Sequence, residues 1–200
     1  METPPSRRLL KKVIGEIDAI QAAHPGKRIL RFFQDEARFG QKGTLTRVWA
    51  RRNSRPTVPR QTQYDYLYVF GAACPDTGSA VALIAPRVDT DMMNYFLSEF
   101  SQSLAPDVHA VMILDQAGWH RSKDLLVPNN VSLIYLPPRS PELNPIENLW
   151  HWITSHFWSN RVHADYDAML HSASNALAKT FADPQRVKSI CNAPYLRRAN

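Results

Sequence analysis

The chain has 200 residues, 44% hydrophobic and 10% aromatic, which suffices for one well-packed domain with room for a helical appendage. Twenty-four Lys and Arg against eighteen Asp and Glu leave a formal net charge of +6, a balance that favours polyanionic partners. Cys74 and Cys191 make neither a metal-ligand spacing nor a disulfide framework, and no signal peptide or long apolar span is present, which excludes the disulfide-scaffold and membrane-spanning classes and makes a reducing cytosol the expected compartment.

Residues 1–8 are polar and proline-bearing and read as a loose lead. Leu9, Leu10, Val13, Ile14, Ile17 and Ile20 then recur at helical spacing, with Lys11, Lys12 and Glu16 on the solvated side. One helix before the first strand is too little for an autonomous helix-turn-helix. The apolar run 29–33 leads straight into Gln34-Asp35-Glu36-Ala37-Arg38-Phe39-Gly40, so an acidic pair falls near a strand's end, its two side chains on opposite faces. Alone, such a pair after a strand is usually a turn or a surface ion pair, here with Arg38. Residues 43–60 are basic, with Trp49 among Arg47, Arg51, Arg52 and Arg55; arginines bind phosphates and an aromatic can stack, although a solvated hairpin with a half-buried Trp has the same pattern.

Runs 64–74 and 80–85 read as two strands of an antiparallel hairpin joined by Pro75-Asp76-Thr77-Gly78. A helix follows over 91–104, with Thr90 or Asp91 at its cap. Ala110-Val111-Met112-Ile113-Leu114 has the continuous apolar character of a strand covered on both faces, and it emerges at Asp115 and a small-residue loop, Gln116-Ala117-Gly118-Trp119-His120. The run 131–136 is a further buried strand, ended by Pro137-Pro138. Asn144 then reads as an N-cap, Pro145 as the first helical residue and Glu147 as N3. Leu143, Ile146, Trp150, Ile153 and Phe157 form the apolar stripe, and Glu147 sits on its shoulder, close to the core and able to face a cleft. The same glutamate also satisfies a capping box, bonding back to the Asn144 amide. A last helix runs through Tyr166, Met169, Leu170, Ala173, Leu177 and Phe181, and 183–200 reads as a basic tail. No internal repeat, P-loop, nucleotide-binding glycine fingerprint, nucleophile elbow or zinc-protease signature is present.

Two carboxylates at the ends of separate strands and a third on a later helix can converge at one edge of a mixed sheet. Hard oxygen donors without Cys or His clusters suit Mg²⁺ or Mn²⁺. Two such ions about 3.5–4 Å apart activate the attacking oxygen and stabilise the leaving oxygen of a phosphodiester. An acidic centre in a basic chain is then consistent, with arginines on the DNA backbone and metals on the scissile phosphate.

Three motifs in this order, Phe33-Gln34-Asp35-Glu36-Ala37-Arg38-Phe39, Ile113-Leu114-Asp115-Gln116-Ala117-Gly118-Trp119-His120 and Tyr135-Leu136-Pro137-Pro138-Arg139-Ser140-Pro141-Glu142-Leu143-Asn144-Pro145-Ile146-Glu147, resemble the catalytic domain of IS630 and Tc1/mariner superfamily transposases over roughly residues 28–180. The resemblance implies an α/β, RNase H-like mixed five-stranded sheet flanked by helices, with a helical lead over 1–27, the catalytic domain over 28–182 and the tail beyond. It aligns the family's DDE triad with Asp35, Asp115 and Glu147, ahead of the neighbouring Glu36 and Glu142. Glu147 follows Asp115 by 32 positions, slightly less than the family's usual interval, as a trimmed loop would give. The resemblance further implies two Mg²⁺ or Mn²⁺ ions, DNA as substrate, cleavage at transposon ends and 3′-hydroxyl strand transfer, a dimeric assembly and a cytoplasmic, nucleoid-associated prokaryotic location. Arg38, Arg47, Trp49, Arg51, Arg52, Arg55, His120 and Arg139 are the expected DNA contacts, His120 equally fitting a bond to a carboxylate or a structural role. The family's amino-terminal DNA-binding region has no counterpart in these residues, which fits a catalytic half with a separately encoded DNA-binding half, a truncated pseudogene product or an excised domain. An RNase H-type or junction nuclease and an inactive transposon-derived DNA-binding module are the alternative functions.

Overall fold

The computed structural model describes residues 7–41, 46–54, 56–57, 61, 64–138 and 140–196, with 7–10 and 196 as backbone only. In chain order the elements are α1 (Arg7–Ala23), β1 (Arg28–Gly40), β2 (Tyr66–Ala73), β3 (Ala80–Ala85), α2 (Thr90–Ser103), β4 (Val108–Leu114), β5 (Val131–Tyr135), α3 (Ile146–Ile153), α4 (Tyr166–Phe181) and α5 (Pro184–Ile190). The five strands form one sheet in the order β3-β2-β1-β4-β5. This is the mixed, helix-flanked sheet that the sequence led us to expect.

β1 is the longest strand because it serves two partners in succession. Its first half runs parallel to β4, from Arg28 opposite Val108 to Phe33 opposite Ile113. Its second half runs antiparallel to β2, from Phe33 opposite Ala73 to Gly40 opposite Tyr66. Every residue of β4 is buried, as its unbroken apolar run required. Strand alternation sends Phe33, Asp35, Ala37 and Phe39 to one face and Phe32, Gln34 and Glu36 to the other. The first face is covered by α1, α3, α4 and α5 through Val13, Ile17, Ile146, Leu149, Met169 and Val187. The second is covered by α2 through Met93, Phe96, Leu97 and Phe100.

Several local expectations are revised. Asp89 caps α2, its carboxylate accepting from Met92 N–H at 2.9 Å, immediately before the expected Thr90 or Asp91. Arg7 and Arg8 belong to α1 and not to a loose lead. The described part of the expected tail is folded: Val187, Cys191 and Ala193 join the core, and the Tyr195 hydroxyl donates to the Leu143 carbonyl at 2.6 Å. After Ile153 the α3 stripe does not continue regularly. The turn Thr154–Trp158 widens by one residue, with Ser159 N–H donating to Thr154 O at 2.7 Å. That extra residue rotates the register, so Trp158 is buried where Phe157 was expected. Among the described residues no helix is long and apolar enough to cross a membrane.

The β2–β3 turn is pressed against the start of α5. Gly78 has φ +78°, and a Cβ there would stand 2.1 Å from the Pro184 carbonyl oxygen. Gly78→Ala therefore combines backbone strain with a clash against main chain, and urea unfolding should show a loss of at least ~1–3 kcal/mol; an unchanged midpoint would refute that packing.

Candidate active site

The parallel register of β1 and β4 brings two aspartates together. The last pair is Phe33 with Ile113, so Asp35 and Asp115 each lie two residues further along neighbouring strands. β4 ends at Leu114, which leaves β1 open on that side from Asp35 onward. Asp115 begins the loop that fills part of the opening. It is fixed there by two bonds to one oxygen: Oδ1 accepts from Ala117 N–H at 2.9 Å and from His120 Nδ1 at 2.8 Å. These bonds, the His120 contact first, hold its carboxyl below the usual range.

Asp35 points to the α3 face, where Trp150 Nε1 donates to its Oδ2 at 3.0 Å. The indole lies in space left by Gly71, the cross-strand partner of Asp35; a Cβ on Gly71 would be 2.4 Å from the ring. Burial, then the charges of Glu147 and Glu36, push the Asp35 carboxyl up to about 8 despite the indole bond. Glu147, in the first turn of α3, is raised by burial and by the charge of Asp115. The three carboxylates thus feel one another at one edge of the sheet. As placed, among the described residues no three His, Cys, Asp or Glu stand close enough to grip an ion between them.

The start of α3 differs from the expected capping arrangement. The helix begins at Ile146, and the Asn144 side chain does not cap it. Asn144 Nδ2 instead donates to the Gln34 carbonyl at 2.9 Å, tying the helix start to β1 beside Asp35. The Asn144 amide donates to Pro141 O at 2.8 Å, so no capping box draws Glu147 back. The exposed Glu147 side chain accepts no hydrogen bond among the described residues.

The expected DNA contacts divide into three groups. Arg47, Trp49, Arg51 and Arg52 are exposed on the loop joining β1 to β2, Trp49 completely, so the half-buried alternative does not hold. Arg38 is exposed and lies over the Tyr66 ring, 4.6 Å from its centroid, not against an acidic partner. His120 differs from the arginines: its side chain is 0% exposed and is held between Asp115 and Glu36, as the alternative of a bond to a carboxylate describes. Arg55 and Arg139 lie outside the described residues.

Both stems of that basic loop are clasped to the segment following α3. Asn160 accepts from Thr46 N–H at 3.2 Å and donates to Thr46 O at 3.0 Å. Gln61 makes the same two-way pair with the His163 backbone, accepting its N–H at 2.7 Å. Sequence reasoning did not foresee Trp150, Gly71 or Glu36 in these roles. A glycine inside an otherwise bulky strand was a usable signal of close approach.

Sheet order, burial and an acidic edge built from β1, the end of β4 and α3 define an RNase H-like domain of the DDE type. Residues 31–170 match the family described as DDE superfamily endonuclease, and the chain belongs to that family. The fold is shared with the Mos1 transposase paired-end complex with the left transposon end, at TM-score 0.67 and 13% identity over 99% of this chain and 62% of that one. The Mos1 strand transfer complex superposes at TM-score 0.62 and 13% identity, over 92% of this chain and 55% of that one. The chain thus spans about three fifths of the length of the structures it matches, up to 62%. It is also 44% identical over 125 residues to the uncharacterized protein y4pE/y4sA of Sinorhizobium fredii (strain NBRC 101917 / NGR234), covering 62% of this chain and 93% of that protein. The expected DDE family is met by the family match, and the expected likeness to Tc1/mariner-type transposases is met in fold.

Two outcomes follow for the metal-free chain. The folded carboxyl of Asp35 binds its proton more tightly than the unfolded one, so the stability it contributes is complete below its ordinary 3.8 and is lost as pH rises towards about 8. The melting temperature should fall across that window, and Asp35→Asn should flatten the fall. Gly71→Ala should displace Trp150, costing ~1–3 kcal/mol in denaturant unfolding; a variant as stable as wild type would show that the indole does not occupy the space Gly71 leaves.

Proposed function

We propose that this chain is the catalytic part of a DNA transposase, cleaving DNA strands at transposon ends and joining the freed 3′-hydroxyl to target DNA. The observation that carries the reading is the gathering of three carboxylates at one sheet edge, where burial and the charges of Glu147 and Glu36 raise Asp35, and burial and the charge of Asp115 raise Glu147. Such a cluster is short of positive charge, and its all-oxygen donor set fits Mg²⁺ or Mn²⁺. Asp35, Asp115 and Glu147 would hold two ions, which activate the attacking oxygen and stabilise the leaving one. Asp35 is fixed by Trp150 and Asp115 by its doubly bonded Oδ1, while exposed Glu147 is free to turn inward. Solved Mos1 paired-end complexes carry Mn and Mg, which supports divalent-metal dependence here.

The exposed Arg47, Arg51 and Arg52, with Arg38, Arg55 and Arg139, would neutralise backbone phosphates, and Trp49 would stack on an unpaired base. Joining two ends requires two active sites, hence a homodimer in the active assembly. With DNA as substrate, the chain would act in the cytoplasm of a prokaryote, at the nucleoid.

Cleavage and strand transfer with Mg²⁺ or Mn²⁺ should be lost in Asp35→Asn, Asp115→Asn and Glu147→Gln, each by more than the roughly 10–100-fold that altering an outer partner costs. Equal activity of wild type and Asp115→Asn would overturn the assignment. Cleavage of RNA–DNA hybrids without strand transfer would indicate an RNase H-type nuclease instead. Replacing Arg47, Arg51 and Arg52 together by Ala should weaken DNA binding and lower the salt slope by about 0.9 for each phosphate left without its cation. An unchanged slope in gel shifts across a salt series would remove the loop from the interface.

A further inference from the structure

The site contains a second chain of charged groups on the opposite face of β1 from Asp35. Resting on the metal-dependent reading above, we propose that Glu36 and His120 are positioning residues that hold Asp115 with one oxygen committed inward and the other presented to a cation. His120 Nδ1 meets Asp115 Oδ1 at 2.8 Å, and its Nε2 meets Glu36 Oε1 at 3.0 Å. Glu36 is itself held by Gln34 Nε2, which donates to the same Oε1 at 2.7 Å. The Tyr135 hydroxyl donates to the His120 carbonyl at 2.7 Å, anchoring the backbone as well as the ring. Trp119 Nε1 also lies 3.0 Å from Nε2, but that contact and a Glu36 bond cannot use the same nitrogen at once. The carboxylate prevails: Glu36 is only 9% exposed and already accepts from Gln34, so it needs a donor more than the indole needs an acceptor.

The arrangement is poorly explained as packing alone. Burying a charged group costs several kcal/mol unless it is well paired, and an apolar side chain would fill the same space more simply. Glu36 and His120 are 9% and 0% exposed, whereas Asp115 is 56% exposed, so this buried chain leads outward to one carboxylate at the cleft. Both hydrogen bonds on Asp115 fall on Oδ1, and among the described residues Oδ2 accepts none. A ligand whose one oxygen is doubly bonded and whose other is free is fixed in direction before a cation arrives. Orienting groups behind a metal ligand act in this way. The adjacent Asp35 and Glu36 then divide their work by strand alternation, one facing the centre and the other acting on it through His120.

The test uses the full chain, with Mn²⁺ binding read directly by water-proton relaxation beside Mn²⁺-dependent DNA cleavage. His120→Asn keeps a donor near the Nδ1 position and His120→Gln keeps one near Nε2. His120→Gln should weaken Mn²⁺ binding by roughly 10–100-fold and raise the Mn²⁺ needed for half-maximal cleavage by the same factor, leaving DNA affinity unchanged. His120→Asn should recover most of that loss. Glu36→Gln, isosteric and still able to accept from Nε2, should shift Mn²⁺ binding in the same direction by less. It decides the matter where circular dichroism shows the His120 variants unfolded. Folded His120→Gln with wild-type Mn²⁺ affinity overturns the proposal, as does folded Glu36→Gln with wild-type affinity where it is the deciding variant. Loss of Mn²⁺ binding in Asp115→Asn alone would leave the metal-dependent reading standing and sink only this inference; a wild type that binds no Mn²⁺ sinks both.

Discussion

The parallel pairing of β1 with β4 is the constraint on which the acidic edge depends. Its last pair sets Phe33 beside Ile113, and the two aspartates follow two residues later on adjacent strands. A slip of one residue would turn Asp35 towards α2 and Glu36 towards α3, because successive strand residues face opposite ways. The pairing resists such a slip because β4 is buried on both faces and Phe32 and Phe33 each fill a separate core. Hydrophobic patterning that looks purely structural therefore determines which of two neighbouring carboxylates enters the centre.

That placement works against stability. Asp35 is half-buried near Glu147, and one indole N–H only partly offsets the desolvation and repulsion that lift its carboxyl to about 8. The fold tolerates this because Asp35 sits on the strand with the most pairing, and because Trp150 and the Asn144 bond to Gln34 secure α3 to the same strand. Local destabilisation in a rigid frame is the expected condition of a centre that acts on phosphates once positive charge arrives.

Much of this was legible in the sequence, and the illegible part has a common cause. Strands and helices followed from period two and period 3.6, and the residues entering and leaving them from proline, aspartate and glycine. Asp115 and Glu147 could be singled out because they stand just after β4 and in the first turn of α3, whereas Asp35 lies inside β1, which continues to Gly40 and does not end near the acidic pair as expected. What remained hidden was partnership across long separations. Asn144 has the signature of a cap, yet it bonds a carbonyl 110 residues earlier. His120 has the signature of a loop polar group, yet its ring is enclosed by a carboxylate from β1, 84 residues away. The widened turn after Ile153 has no period of its own to detect, and only the burial of Trp158 in place of Phe157 reveals it.

The widened turn also connects two regions that are far apart in the chain. Trp158 donates to the Gly40 carbonyl at 2.9 Å and stacks on His163 with centroids 4.3 Å apart. Asn160 and His163, immediately beyond, hold the two stems of the basic β1–β2 loop through Thr46 and Gln61. The helix that presents Glu147 and the loop that presents Arg47, Trp49, Arg51 and Arg52 are consequently referenced to the same short segment. A backbone shift in that segment would move the loop and the C-terminal end of α3 together. Packing around Trp158 thus joins the stem of the basic loop to the end of the helix that carries Glu147.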